Sequence, residues 1–162
     1  MNFASAVIRK AEPSDINQMT KLLKELFSLE EDFTFNEAAQ RQGLFMLLDD
    51  HEKCCIMIAE SEKQVIGMCS AQLLLSTAEG GTAALIEDMV VAKTYQGEGI
   101  GKKLLLSMEK WAYKKKAKRI QLLADKNSIN ALEFYKKQKW AGTQLICLRK
   151  KQEKDIDRCI QN

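Results

Sequence analysis

Val90-Val91-Ala92-Lys93-Thr94-Tyr95-Gln96-Gly97-Glu98-Gly99-Ile100-Gly101-Lys102-Lys103-Leu104-Leu105 joins an apolar strand to an amphipathic helix through a loop with glycine at alternate positions. The first N–H groups of a helix have no partner inside it, and the helix dipole adds partial positive charge there. Glycine lets a backbone close around an anion without Cβ atoms in the way. The stretch reads as a phosphate cradle, so a phosphorylated cofactor is the first hypothesis.

Three phosphate-binding patterns compete for it. A P-loop needs G-x-x-x-x-G-K followed by Ser or Thr, whose hydroxyl holds magnesium. Gly101-Lys102 has no glycine at that distance upstream, and Lys103 stands where the hydroxyl belongs. The dinucleotide pattern G-x-G-x-x-G is displaced by the spacing Gly97, Gly99, Gly101, although Asp125 lies where a ribose-binding acid would sit. Gln96-x-x-Gly99-x-Gly101 fits a third pattern, Q/R-x-x-G-x-G/A, without adjustment.

Working outward, the first half of the chain reads as a strand at 6–10, then a helix from Pro13 to about Leu29 capped by Ser14. Ile16, Met19, Leu22, Leu23, Leu26 and Phe27 fall on one face of that helix. Glu30-Glu31-Asp32 interrupts the pattern, and a second helix is predicted over 36–48 behind an Asn36 cap. Strands follow at 54–60 and 65–75, joined by a hairpin at Ser61-Glu62-Lys63-Gln64, and a further strand at 83–91 feeds the glycine loop.

After the loop, Ile100, Leu104, Leu105, Met108, Trp111 and Ala112 mark a helix ending near Lys116. Arg119–Ala124 reads as a buried parallel strand, 128–137 as a short helix and 143–149 as a closing strand. The expected product is an α/β domain, a mixed sheet with helices on both faces. No linker, repeat or low-complexity tract divides it, so residues 1–162 are read as one domain with its core at about 6–150; the last dozen residues are polar and expected to fray.

The bulk numbers agree with that reading. A chain of 162 residues, 46% hydrophobic and 29% charged, suits a single soluble domain. A net charge of +3 is too small to argue for nucleic acid. Cys54, Cys55, Cys69, Cys147 and Cys159 are odd in number and lack C-x-x-C spacing, which points to reduced thiols in a cytoplasmic protein. His51 has no Cys, Asp or Glu at ligand spacing, so no metal is expected. No apolar run approaches the length of a membrane span, and none is placed at the N-terminus as a signal core.

A second segment makes a family resemblance extensive. The Q-x-x-G-x-G loop resembles the pyrophosphate loop of the GCN5-related N-acetyltransferase (GNAT) superfamily. Asn127-Ser128-Ile129-Asn130-Ala131-Leu132-Glu133-Phe134-Tyr135-Lys136-Lys137-Gln138-Lys139-Trp140 is similar to its second signature, N-x-x-A-x-x-F-Y-x-K-x-G-F. Lys139-Trp140 replaces the usual Gly-Phe, and the asparagine of the signature is either Asn127 or Asn130. The resemblance runs from about Ile8 to Arg149. It implies a mostly antiparallel sheet of six to seven strands with about four helices, and a homodimer.

It also implies an acetyl-CoA-dependent N-acetyltransferase acting by direct attack in a ternary complex. In that reading the N–H groups of Gly97, Glu98, Gly99, Ile100, Gly101 and Lys102 hold the pyrophosphate, with Gln96 opening the loop. Main-chain groups at Met89, Val90 and Val91 pair with the pantetheine arm, Asn127 or Asn130 contacts it, and Tyr135 stands near the thioester sulfur. The acidic helix junction and the Ile86-Glu87-Asp88 strand look similar to the polyamine and diamine branch, which makes a small cationic amine the expected acceptor and Glu31 one of its ligands.

Elementary chemistry adds its own requirement. An alkyl ammonium has a pKa of about 10, so a base must take its proton at pH 7. Glu87 and Asp88 are adjacent acids in an apolar strand, expected on opposite faces. Burial raises a carboxyl pKa and suits a general base; Glu87 is favoured as base and Asp88 as substrate ligand. Tyr135 has a hydroxyl able to protonate the departing thiolate, although an aromatic at that position is ordinarily core. The run from Lys114 to Arg119 reads as a solvated helix end, since cations there favour the dipole. Two other classes stay open: a non-catalytic acyl-CoA sensor, and a nucleotide-binding oxidoreductase.

Overall fold

The structure of the protein, a computed structural model, describes residues 6–150. The described residues separate after Asp125 into two compact units.

In the first unit, five strands form one sheet in sequence order: β1 (Val7–Lys10), β2 (Cys54–Ser61), β3 (Gln64–Ser76), β4 (Gly81–Val91) and β5 (Arg119–Leu122). The first three pairings are antiparallel and β4–β5 is parallel. The β2–β3 hairpin closes with Ser61 opposite Gln64, and Glu62 and Lys63 both take positive φ, as a turn matched to strand twist requires. α1 (Ile16–Leu29) and α2 (Glu37–Asp49) come before the hairpin, and α3 (Ile100–Lys114) crosses from β4 to β5.

The strand pleat sets which helix covers which face. Met68 of β3 joins Met19, Leu22 and Leu23 of α1, Leu44 of α2 and Ile56 and Ile58 of β2 in one buried cluster. Its neighbour Gly67 points the other way, toward α3. A Cβ on Gly67 would lie 3.1 Å from Leu104 Cδ1 and 3.1 Å from the Val90 carbonyl oxygen, so α3 can sit this close only over a glycine. The sheet thus carries helices on both faces.

Several local expectations are corrected. Ser14 is not the cap of the first helix: residues 13–15 form a 3₁₀ turn, and Asp15 accepts from the N–H of Glu12 at 2.8 Å. Pro13 favours that tight start because its fixed φ fits the first turn. β5 is parallel but only half-buried, since it has a ladder on the β4 side alone among the described residues. β4 does not alternate regularly. Glu87 pairs with Ser70 and Val90 with Met68, so Asp88 and Met89 together face Cys69 in a β-bulge, with Asp88 at φ +50°.

The second unit contains α4 (Ile129–Lys137), capped by Ser128, whose hydroxyl accepts from Ala131 N–H at 3.4 Å. Lys139 closes the helix in the left-handed region at φ +67°, and Trp140 N–H returns to the Tyr135 carbonyl at 3.0 Å. Lysine here adopts the conformation that a glycine would take at less cost. The expected closing strand at 143–149 does not form. A strand exists through its ladder, and an apolar run supplies only the capacity to make one. The sheet therefore has five strands among the described residues rather than six or seven. Cys159 and the polar tail lie outside them.

Candidate active site

β4 runs to Val91, but its ladder with β5 ends where Ile86 pairs with Leu122. From Glu87 to Val91 one edge of β4 therefore carries no ladder among the described residues, while the other stays on β3. Met89, Val90 and Val91 lie on this stretch. An extended chain can add to such an edge through main-chain hydrogen bonds.

Beyond Val91 a 3₁₀ turn at Lys93–Tyr95 delivers the chain to the glycine loop. Gly97 and Gly99 take φ +85° and +78°, conformations that cost other residues about 1–2 kcal/mol. Gly99 is the residue that enters α3, and no side chain caps the helix there. Lys103 N–H returns to the Gly99 carbonyl, whereas the N–H groups from Gly97 to Lys102 donate to no carbonyl among the described residues. Gly97, Glu98, Gly99 and Lys102 are exposed, and Ile100 is buried as the first core residue of α3. An uncapped helix start with free N–H groups, entered through an open loop, fits a phosphate group.

At the bulge, Ser70 is both the ladder partner of Glu87 and a hydroxyl donor to Asp88 Oδ2 at 2.9 Å. The regular pleat that would send the two acids to opposite faces is therefore interrupted between them and the strand end. Burial pushes the Asp88 carboxyl up, and the Ser70 hydrogen bond opposes it. Glu87 is raised by partial withdrawal from water and then by the charge of Asp88; its exposure keeps the effect modest.

The acidic run Glu30-Glu31-Asp32 was readable as a lure for a cationic substrate, but Glu31 was singled out as the ligand where Glu30 is the member withdrawn from water. Glu30, at the end of α1, is raised by burial and by the charges of Asp88, Asp125, Asp32 and Glu87, in that order. Glu31 is exposed in the following turn. The acid run was visible, but which of its members is turned inward depends on how α1 ends. Among the described residues, no cation contributes to the shifts of Glu30, Glu87 or Asp88.

In the second unit, the half-buried Tyr135 ring lies 5.1 Å from Phe134 and 6.1 Å from Trp140, centroid to centroid. Trp140 thus packs in place of the usual phenylalanine. Asn127 precedes the Ser128 cap and Asn130 lies in the first turn of α4, both exposed.

The acetyltransferase (GNAT) family model matches residues 16–140, from the start of α1 through Trp140. The chain belongs to this family. As a GNAT-type N-acetyltransferase it is an acyltransferase, and acetyl-CoA is the general acyl donor of the family. An uncharacterized N-acetyltransferase of Archaeoglobus fulgidus is 24% identical over 132 residues, 81% of this chain and 90% of that protein. Among solved structures, a possible acetyltransferase from Clostridium difficile 630 superimposes with TM-score 0.80 at 19% identity, covering 93% of this chain and 99% of the other. An aminoglycoside acetyltransferase from an uncultured soil metagenomic sample, solved with sisomicin, gives TM-score 0.76 at 22% identity, covering 91% and 97%. At these identities the structural likeness is one of fold, and the GNAT fold is shared.

Among the described residues, no group of three or more His, Cys, Asp or Glu is arranged to hold a metal ion. No helix among them is long and apolar enough to cross a membrane. Burial raises the Cys55 thiol to about 11 and Cys69 further still, far from the range of a nucleophilic thiolate at neutral pH.

Proposed function

We propose that this GNAT acetyltransferase moves an acetyl group from acetyl-CoA to a primary amine of a small polycationic molecule, of polyamine or diamine type, in a ternary complex. The observation that carries the reading is the group of carboxylates around the β4 bulge. Glu30, Asp32, Glu87, Asp88 and Asp125 are electrostatically coupled through Glu30, and among the described residues no cation offsets Glu30, Glu87 or Asp88. Carboxylates held together favour a cationic ligand. That the solved aminoglycoside acetyltransferase holds sisomicin is in keeping with an amine acceptor for this fold.

Acetyl-CoA supplies an activated acetyl thioester. The N–H groups from Gly97 to Lys102 bind its diphosphate, and Gln96 braces the loop. The β4 edge at Met89–Val91, beyond the end of the β5 ladder, orients the pantetheine arm, which Asn127 or Asn130 also contacts. Asp88, Glu30 and Glu31 hold the amine. Glu87 takes the ammonium proton, directly or through a water, as the new C–N bond forms; the Tyr135 hydroxyl gives a proton to the sulfur as the C–S bond breaks. The free thiols at Cys54, Cys55 and Cys69 suit a reducing compartment, so the cytoplasm is the proposed location. A homodimer of single-domain chains is the proposed assembly.

The test is thiol release from acetyl-CoA across a panel of spermidine, putrescine, sisomicin and neutral amines. Turnover concentrated on amines with two or more charges is expected, with a loss of ~10²-fold or more in kcat for Glu87→Gln. CoA binding with no thiol release on any amine would replace the enzyme with an acyl-CoA sensor.

A further inference from the structure

Ser70 is the one hydroxyl in a buried apolar run of β3, between Cys69 and Ala71, and it is 2% exposed. A hydroxyl in such a place costs free energy unless it is hydrogen-bonded. Its bond goes to Asp88 Oδ2 at 2.9 Å, across to the strand that carries the acids. Asp88 needs an anchor there. It sits in the bulge at φ +50°, a conformation that costs a residue with a Cβ about 1–2 kcal/mol and persists where surroundings enforce it.

From these contacts we infer that Ser70 is a positioning residue of the acetyl-transfer reaction: its hydroxyl fixes the Asp88 carboxylate at the β4 bulge and so sets the placement of the Glu87–Asp88 pair toward the acceptor amine. The inference rests on the reading of these two acids as the amine side of the site. Its geometric content is separate, because Ser70 meets Glu87 through the ladder and Asp88 through its hydroxyl. The charged and titratable groups around Asp88 are Glu87 on β4, Cys69 on β3 and Glu30 after α1, and through Glu30 also Asp32 and Asp125. All are acids, so among the described residues the Ser70 hydroxyl is the group that steadies the carboxylate as an anion. A bond to the charged form lowers a carboxyl pKa, and its removal raises it.

The experiment compares wild type, Ser70→Ala, Asp88→Asn and the double variant. Ser70→Ala is expected to raise KM for the amine roughly tenfold, with KM for acetyl-CoA within about twofold, in line with loss of a hydrogen bond to a charged group. The acid limb of its kcat/KM profile moves to higher pH. In the Asp88→Asn background the same substitution has little further effect on the amine. An equal effect in both backgrounds, or an unchanged profile in Ser70→Ala, overturns the inference. If wild type turns over no amine, the functional reading fails by itself, and the Ser70–Asp88 link is decided by carbon-detected NMR titration of the Asp88 carboxyl. A rise on Ser70→Ala supports the link, and no change overturns it. Should the alanine variant not fold, Ser70→Cys, close in size and a weaker donor, gives the same readouts.

Discussion

The side-chain amide of Gln96 donates to the main-chain oxygen of Val91 at 2.9 Å, tying the entrance of the glycine loop back to the end of β4. The two parts of the proposed donor site, the strand edge beyond the β5 ladder and the N–H groups of the loop, thereby share one brace. A net contribution of about 1 kcal/mol is ordinary for such a bond. Gln96→Ala is expected to weaken CoA binding about fivefold in calorimetry while kcat at saturating acetyl-CoA changes little. Unchanged CoA affinity would remove Gln96 from the loop's support.

Tyr135 has two roles to separate, since its ring packs between Phe134 and Trp140 and its hydroxyl is the proposed acid. Tyr135→Phe keeps the ring. A fall in kcat of ~10²-fold or more is expected for a lost general acid. A kcat within about threefold of wild type would leave Tyr135 as packing.

The acid group at the bulge should oppose folding while it serves binding. Glu30, Glu87 and Asp88 all have folded pKa values above their ordinary ones. Such groups favour the folded state below the ordinary carboxylate range, and that contribution is lost as pH rises through the raised values. At neutral pH the cluster is therefore a cost. Glu30→Gln is expected to raise the melting temperature by roughly 1–2 °C at pH 7, with a smaller gain near pH 4, and to raise KM for a polycationic amine at least about threefold. Gains that are equal at both pH values would show that the charge of Glu30 is not the cause.

Most of this architecture was legible in the sequence because it follows from period and punctuation. The 3.6-residue repeat in α1 and α3, the Asn36 cap and the turn residues between β2 and β3 each specify local structure. What escaped was set by pairing between distant residues. The bulge at Asp88 depends on how β3 and β4 register around Cys69, and no pattern within either strand announces it. The inward turn of Glu30 rather than Glu31 depends on the last residues of α1. Residues 143–149 show the converse, a strand-like run with no strand. The glycine loop was readable because its function lies in main-chain N–H groups, and sequence reports backbone freedom directly through glycine.

Arg9 fixes the start of α1 to the sheet. Its guanidinium donates to Asp15 through two bonds of 2.8 and 2.9 Å, and to Glu60 Oε2 at 2.6 Å. The Asp15 side chain is only 6% exposed and also accepts the Glu12 N–H at 2.8 Å. The Arg9 bonds hold its carboxyl below the usual value of 3.8, against the opposing effect of burial. A lowered folded pKa means that the unfolded chain binds the proton more readily. The stabilisation is thus complete above the ordinary carboxylate value and is withdrawn as pH falls through the lower, folded one. Asp15→Asn is expected to cost roughly 1.5–3 kcal/mol at pH 7. In denaturant titrations below about pH 4, the gap between wild type and variant should narrow as wild type loses this contribution. Stability curves that stay parallel across that range would show that the Arg9–Asp15 pair does not govern the acid limb.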